Sequence, residues 1–203
     1  MPAFATATEW RARAVRSPSW RFFREFLKHP LAVGSVVPSS RRVVDRMLAP
    51  VDWRRCRLFV EYGPGVGVFT RRVLEQLRPD ATLLAIDTDP AFIDYLGETI
   101  ADPRLLAVTG SAADIRDILA RHGVGPADYV LSGLPFSTLT VATARKIADD
   151  TAASLSPGGI FLVYQLSSKV RRYLTPRFGP IDEGFEWVNI PPLRLFWAQK
   201  QHA

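Results

Sequence analysis

Five short apolar runs, RLFVEY (57–62), TLLAID (82–87), RLLAVT (104–109), DYVLS (128–132) and IFLVYQ (160–165), are separated by stretches patterned as helices. Strand and helix alternating at this spacing prescribe βαβ units, and therefore a mostly parallel sheet covered by helices on both faces. The helical stretches are bounded by recognisable signals. Phe69, Val73, Leu74 and Leu77 recur at helical spacing after the first run. Asp89-Pro90 supplies an N-cap and N1 residue for a helix with Phe92, Leu96 and Ile100 on one stripe. SAADIRDILARHG reads as a helix ending near Gly123, and another helix extends to about Leu155, before a turn at Ser156–Gly159. The end of the chain, FEWVNIPPLRLFWAQK, reads as two strands around Pro191-Pro192. With so few residues between them, these strands must be antiparallel to each other.

At 203 residues the chain has room for one domain with a real core. The expected division is a flexible arm over 1–18 and a single domain over 19–203, in which 19–50 is a helical N-terminal lid. Within it, PSSRRVVDRMLAP has Ser39 or Ser40 as cap, Val43, Val44, Met47 and Leu48 on one face, and Pro50 as stop. The net charge of +6 suits an anionic partner and selects none. One cysteine, Cys56, excludes an intrachain disulfide and fits a reducing cytoplasm. It forms no ligand cluster with the scattered His29, His122 and His202, so no metal is expected. No apolar run is long enough to cross a bilayer, and the N-terminus lacks a secretory signal.

The chemistry concentrates in EYGPGVGVFT, residues 61–70. A dinucleotide fingerprint needs G-x-G-x-x-G. Gly63 and Gly65 supply its first two positions, but Val68 occupies the third, where it would prop helix and strand apart, and Gly67 comes one residue early. Glu61 ahead of the turn is awkward beside a pyrophosphate and suits a cationic amino group. The stretch resembles motif I of class I S-adenosylmethionine-dependent methyltransferases. That resemblance implies a Rossmann-like fold with a seven-stranded sheet, and S-adenosylmethionine as cofactor. It implies cofactor contacts from Glu61, Tyr62, Gly63, Gly65 and Gly67, and from Asp87 and Thr88 at the end of the second strand, with Asp87 accepting from the ribose hydroxyls. In GSAAD (110–114), Ser111 stands where the family often carries an acid facing adenine. The contact then falls to its hydroxyl, to the backbone at Ala112, or to Asp114, which is equally well read as a helix cap.

LSGLPF (131–136) sits where amino-group methyltransferases carry [DN]-[PL]-P-[YF]. Leu134, Pro135 and Phe136 fit the wall around the acceptor amine, and Ser132-Gly133 replaces the polar residue. A proline turn with Phe136 in the core is the alternative. Together with HPLAVGSVVPSS (29–40), SPGG and VNIPP, these motifs resemble the bacterial phospholipid N-methyltransferase family, relatives of the rRNA adenine dimethyltransferases, over about residues 20–199. In such proteins the segment before the first strand folds over the cofactor, which here implies Val36, Ser39 or Ser40 against the pocket.

The resemblance implies N-methylation of a phospholipid amine at the membrane surface, by an enzyme peripheral on the inner face. SWRFFREFLKHP fits: Trp20, Phe23 and Leu27 share a stripe flanked by Arg21, Arg24 and Lys28, an interfacial pattern or, equally, a core-packing helix. An anionic or zwitterionic lipid is then both substrate and docking surface. Lys169 and Arg172 are candidates for a substrate phosphate. Tyr164 and Ser132 are candidates to orient the amine or relay its proton. Two other readings stand beside this one. One is a methyltransferase for an amino or phosphorylated metabolite. The other is an RNA adenine N-methyltransferase or a cofactor-binding module. The rRNA enzymes append a helical domain after the sheet, so no specific nucleic-acid partner is expected for a chain ending at Ala203.

Overall fold

The structure is a computed structural model that describes residues 41–187 and 191–201. The arm 1–18, Trp20, Phe23, Leu27, Val36, Ser39 and Ser40 lie outside the described residues. In chain order the elements are α1 (Arg41–Leu48), β1 (Leu58–Tyr62), α2 (Val68–Gln76), β2 (Thr82–Asp87), α3 (Pro90–Thr99), β3 (Leu105–Thr109), α4 (Ile115–His122), β4 (Ala127–Ser132), α5 (Val141–Ser154), β5 (Leu155–Gln165), α6 (Arg171–Phe178), β6 (Asp182–Glu186) and β7 (Leu193–Gln199). Single 3-10 turns at Ala112–Asp114 and Ser168–Val170 precede α4 and α6.

The strands form one seven-stranded sheet in the order β3-β2-β1-β4-β5-β7-β6. β1 to β5 run parallel, and β7 runs antiparallel to both β5 and β6. This is the Rossmann-like mixed sheet expected from the sequence. Alternation along each strand sorts side chains between two cores. Leu58, Val60, Tyr62, Leu84, Ile86, Phe161, Val163 and Phe196 face one, with α4, α5 and α6 over them. Phe59, Leu83, Leu131, Leu162 and Leu195 face the other, under α1, α2 and the end of α3 at Ile100. All five residues of β1 are buried, as a central strand with both faces covered requires.

Local chemistry ties the ends. The Asp128 carboxylate accepts from two backbone N–H groups at the start of β1, Arg57 at 2.7 Å and Leu58 at 3.0 Å. Asp128→Ala leaves both without that acceptor. It should cost about 2 kcal/mol and lower Tm by about 6 °C, and Asp128→Asn should lose less, as thermal unfolding would measure. Trp197 Nε1 donates to the Met47 carbonyl at 3.0 Å, and Arg46 reaches the Phe185 carbonyl at 2.9 Å, so the end of the sheet holds α1. Cys56 is buried, and burial, then the charges of Asp128 and Asp52, push its thiol up to about 12. It therefore stays protonated.

Three local expectations change. Ser156–Gly159 is not a free turn but a bulge inside β5. The register jumps from Ala127↔Leu155 to Tyr129↔Ile160, because Pro157 has no N–H for the ladder and Gly158 bends at φ +77°. The penultimate strand lies earlier than FEWVNI suggests, at Asp182–Glu186. And α6 is a helix that the sequence reading lacked. Its internal Pro176 hides the helical period, while Tyr173, Leu174 and Phe178 enter the core.

Candidate active site

The carboxyl ends of β1, β2, β3, β4 and β5 form one rim, and the loops that leave it are laced together. Gly63 N–H donates to the Ile86 carbonyl at 2.9 Å, Gly110 N–H to the Asp87 carbonyl at 2.8 Å, and Gly133 N–H to the Tyr62 carbonyl at 3.1 Å. In an open parallel sheet this rim is where ligands bind, at the point where strand order reverses. Here the reversal falls between β1 and β4.

Gly63, Gly65 and Gly67 all take positive φ, +68°, +54° and +79°, which no side-chain-bearing residue adopts cheaply. They serve different ends. A Cβ at Gly65 would meet nothing within 4 Å, so the backbone there lies open, as a cradle requires. A Cβ at Gly67 would sit 2.6 Å from Leu96 Cδ2, so Gly67 lets α2 start against α3. Val68 props nothing apart: it packs half-buried against the second core.

Glu61 is only 1% exposed, on the α2 face of β1. Thr70 Oγ1 donates to its Oε2 at 2.7 Å, and its other oxygen has no hydrogen-bond partner among the described residues. Burial pushes the carboxyl up to about 7; the Thr70 hydrogen bond lowers it and the charge of Asp87 raises it. Thr70 escaped the sequence reading. Its signal was a polar residue embedded in the apolar stripe from Phe69 to Leu74. Asp87 ends β2, and its carboxylate accepts from Asp89 N–H at 3.0 Å. Burial raises this carboxyl, the Asp89 N–H opposes that, and the Asp89 charge adds to it. Two carboxyls whose burial disfavours ionisation, beside an open glycine turn, are groups that a cationic, hydroxyl-bearing ligand would complement. Glu61, Asp87 and the glycines thus fit the cofactor implied by motif I. Thr88 is exposed beside them.

On the β4–β5 half of the rim, Tyr164 lies one residue before the end of β5, next to Gly133. A Cβ at Gly133 would lie 2.4 Å from the Tyr164 hydroxyl oxygen. The ring stacks on Phe69 at 4.7 Å between centroids. Its hydroxyl has no hydrogen-bond partner among the described residues, and burial, then Glu61, raise its pKa above the ordinary tyrosine value. It is therefore a protonated hydroxyl, not a base. Ser132 is fully buried, and its Oγ accepts from Leu134 N–H at 3.2 Å, which leaves its proton to donate. The Leu134 and Pro135 carbonyls already accept from Phe136 N–H and Thr138 N–H, both at 2.9 Å; the Gly133 carbonyl has no partner among the described residues.

Several side chains expected at the site point elsewhere. The Tyr62 side chain leaves the site: it is wholly buried under α5, its hydroxyl 3.1 Å from Thr151 Oγ1. Phe136 is 1% exposed and packs on Tyr173, so it anchors the loop from below instead of walling the acceptor. The Ser111 hydroxyl accepts from Ala113 N–H at 3.2 Å, and Ala112 is buried, leaving mainly backbone at that edge. Asp114 lies 3.8 Å from Lys146 on α5. The basic residues after β5 diverge. Arg171 pairs with Glu183 at 3.3 Å, Arg172 stacks on and donates to Tyr173, and Lys169 is exposed, with no ion pair among the described residues. A cleft of about 850 Å³ between α4 and α5 is lined by charges that pair with one another, such as Lys146 with Asp150 at 2.6 Å. Among the described residues no group of His, Cys, Asp and Glu is placed to hold a metal, and no helix is long and apolar enough to cross a membrane.

No protein-family model matches the chain. It is 28% identical over 180 residues to an ornithine lipid N-methyltransferase of Singulisphaera acidiphila, spanning 88% of this chain and 94% of that one. It is 30% identical over 173 residues to ribosomal RNA small subunit methyltransferase A of Geobacter metallireducens, spanning 73% of this chain and 61% of that one. The fold matches an O-methyltransferase family protein from Burkholderia thailandensis at TM-score 0.66, 16% identity, over 95% of this chain and 63% of that one. It also matches a T. thermophilus 16S rRNA methyltransferase, solved with AdoMet and guanosine, at TM-score 0.63, 18% identity, over 84% of this chain and 45% of that one. The resemblance read from the motifs holds in these matches. Because rRNA methyltransferases are among them, the expected exclusion of nucleic acid is not supported.

Proposed function

We propose that this class I S-adenosylmethionine-dependent methyltransferase N-methylates the amine headgroup of a membrane lipid. The observation that carries the proposal is the match, over 94% of its length, to a relative named for lipid N-methylation. The site geometry agrees. Glu61 and Asp87 put negative charge on the β1–β2 half of the rim, where a cationic cofactor belongs. Gly133 and Tyr164 put an acceptor carbonyl and a hydroxyl on the β4–β5 half.

S-adenosylmethionine supplies, when bound, a methyl on a sulfonium whose departure leaves a neutral thioether. The residues have less demanding tasks than acid–base chemistry at a poor leaving group would set: they bind, align and exclude water. Glu61 complements an ammonium, the turn from Gly63 to Gly67 lets backbone approach closely, and Asp87 accepts from a diol. The Gly133 carbonyl and Tyr164 hydroxyl accept N–H bonds from a neutral amine and aim its lone pair, while Ser132 holds the turn that presents that carbonyl. The amine arrives deprotonated or loses its proton to water, since Tyr164 is held protonated.

The test is label transfer from methyl-labelled cofactor, with ornithine lipid, phosphatidylethanolamine, small amino metabolites and 16S rRNA offered in parallel. Label is expected in the lipid phase. Tyr164→Phe should lower kcat about tenfold, with cofactor affinity unchanged. Label confined to RNA or to a soluble amine would overturn the proposal. The RNA arm answers a second reading, favoured by the 30% match to an rRNA methyltransferase.

A further inference from the structure

Among the described residues three large hydrophobic side chains are exposed: Val141 at 54%, Leu166 at 59% and Trp187 at 75%. All three lie at the carboxyl rim. Val141 opens α5 at the end of the loop leaving β4, and Leu166 directly follows β5. Trp187 directly follows β6, which points the same way as β5 because both are antiparallel to β7. β4, β5, β7 and β6 are consecutive in the sheet, so strands spaced about 4.8 Å apart put these residues along roughly 15 Å of one edge.

The charge on this half of the rim is basic. Two of its acids are taken: Glu183 pairs with Arg171 at 3.3 Å, and buried Glu186 with Arg46 at 3.3 Å. Arg145, Lys169 and Arg172 have no carboxylate partner among the described residues. Arg145 and Arg172 flank Val141, Tyr173 and Pro176 around an open cleft of about 410 Å³. Arg194 lies over the Phe185 ring, which in turn meets Trp187 edge-on at 4.2 Å. The opposite half of the same rim carries Glu61, Asp87 and Asp89. The rim is thus divided into an acidic half bearing the glycine turn and a basic half bearing exposed apolar side chains.

We propose that the β4–β6 half of the rim docks on an anionic lipid bilayer, with Val141, Leu166 and Trp187 entering the headgroup boundary and Arg145, Lys169 and Arg172 meeting lipid phosphates. Exposed apolar side chains interleaved with cations that no carboxylate neutralises are what such an interface takes, and tryptophan is favoured there. This edge is also the end of the sheet that carries Gly133 and Tyr164, so an amine would reach them from the headgroup layer without the lipid leaving the membrane. The inference rests on the lipid-amine reading but is separable from it.

The test is co-sedimentation of the full chain with vesicles of phosphatidylcholine and phosphatidylglycerol, which offer no acceptor amine. For the double variant Leu166→Ser/Trp187→Ser the ratio of bound to free protein should fall about tenfold or more. Its affinity for S-adenosylhomocysteine and its activity on a monomeric short-chain aminolipid should be unchanged, and added salt should weaken wild-type binding. If vesicle binding is lost in the variant while neither protein methylates any aminolipid, docking stands and the substrate reading falls. A double variant that sediments like wild type overturns the inference, and so does one that loses only self-association or RNA retention, which would assign the rim to a second copy or to RNA.

Discussion

Glu61→Gln should make the protein more stable at pH 8 and a poorer binder of its cofactor. The carboxyl is pushed up to about 7 from an ordinary 4.5, first by burial. The folded protein therefore holds this proton more tightly than the unfolded chain does. The stability from this group is fully present below about 4.5 and is lost as pH rises through 7. At pH 8 an ionised, buried Glu61 thus costs about 3 kcal/mol. Glutamine keeps an oxygen for the Thr70 hydroxyl and carries no charge, so Tm at pH 8 should rise by about 9 °C, with the gain gone by pH 4. The same substitution removes the counter-charge to the cofactor ammonium. A charged hydrogen bond of this kind is worth roughly 2 kcal/mol, so affinity for S-adenosylhomocysteine should drop about thirtyfold at pH 8. Wild-type affinity should itself weaken as pH falls below 7 and Glu61 protonates. Calorimetry and thermal scans at the two pH values check both halves. A variant less stable at pH 8 with unaltered affinity would make Glu61 a structural residue and nothing more.

Gly67→Ala should be the most damaging single methyl in the rim. The position has φ +79°, and the added Cβ would lie 2.6 Å from Cδ2 of Leu96, itself wholly buried on α3. The left-handed conformation costs about 1–2 kcal/mol for a residue with a Cβ, and forcing Leu96 off its rotamer adds about as much again. A loss of about 3 kcal/mol, or roughly 9 °C in Tm, is expected. Gly97, one residue beyond Leu96 on the same helix, provides the contrast. A Cβ there meets nothing within 4 Å, so Gly97→Ala should stabilise by about 1 kcal/mol through helix propensity alone. Opposite signs from the same chemical change, measured by denaturant unfolding, would show that close approach at the turn and not methyl volume sets the cost.

The order of elements, the parallel sheet with its antiparallel β7, the glycine turn and the strand-ending Asp87 were legible in the chain. Each rests on local rules: hydrophobic period, cap residues, and backbone that only glycine adopts. Local rules also explain the misses. Pro176 breaks the period of α6, and Pro157 with Gly158 imitates a loop inside β5.

What lay beyond the sequence was the direction of each side chain once strands distant in the chain were set in register. EYGPGVGVFT alone gave an acid ahead of a turn whose backbone favours glycine, and pointed to the kind of ligand. Pairing β1 with β4, and β4 with β5, decided that Glu61 lies under Thr70 and that Tyr164 reaches Gly133, while Tyr62 and Phe136 turn into the core. It also decided that Arg171 and Arg172, neighbours in sequence, turn to different partners, Glu183 and Tyr173, and that Leu166 and Trp187 come to one edge. A strand's period is two, so composition names the residues available, but only the register of the assembled sheet determines which of them meet.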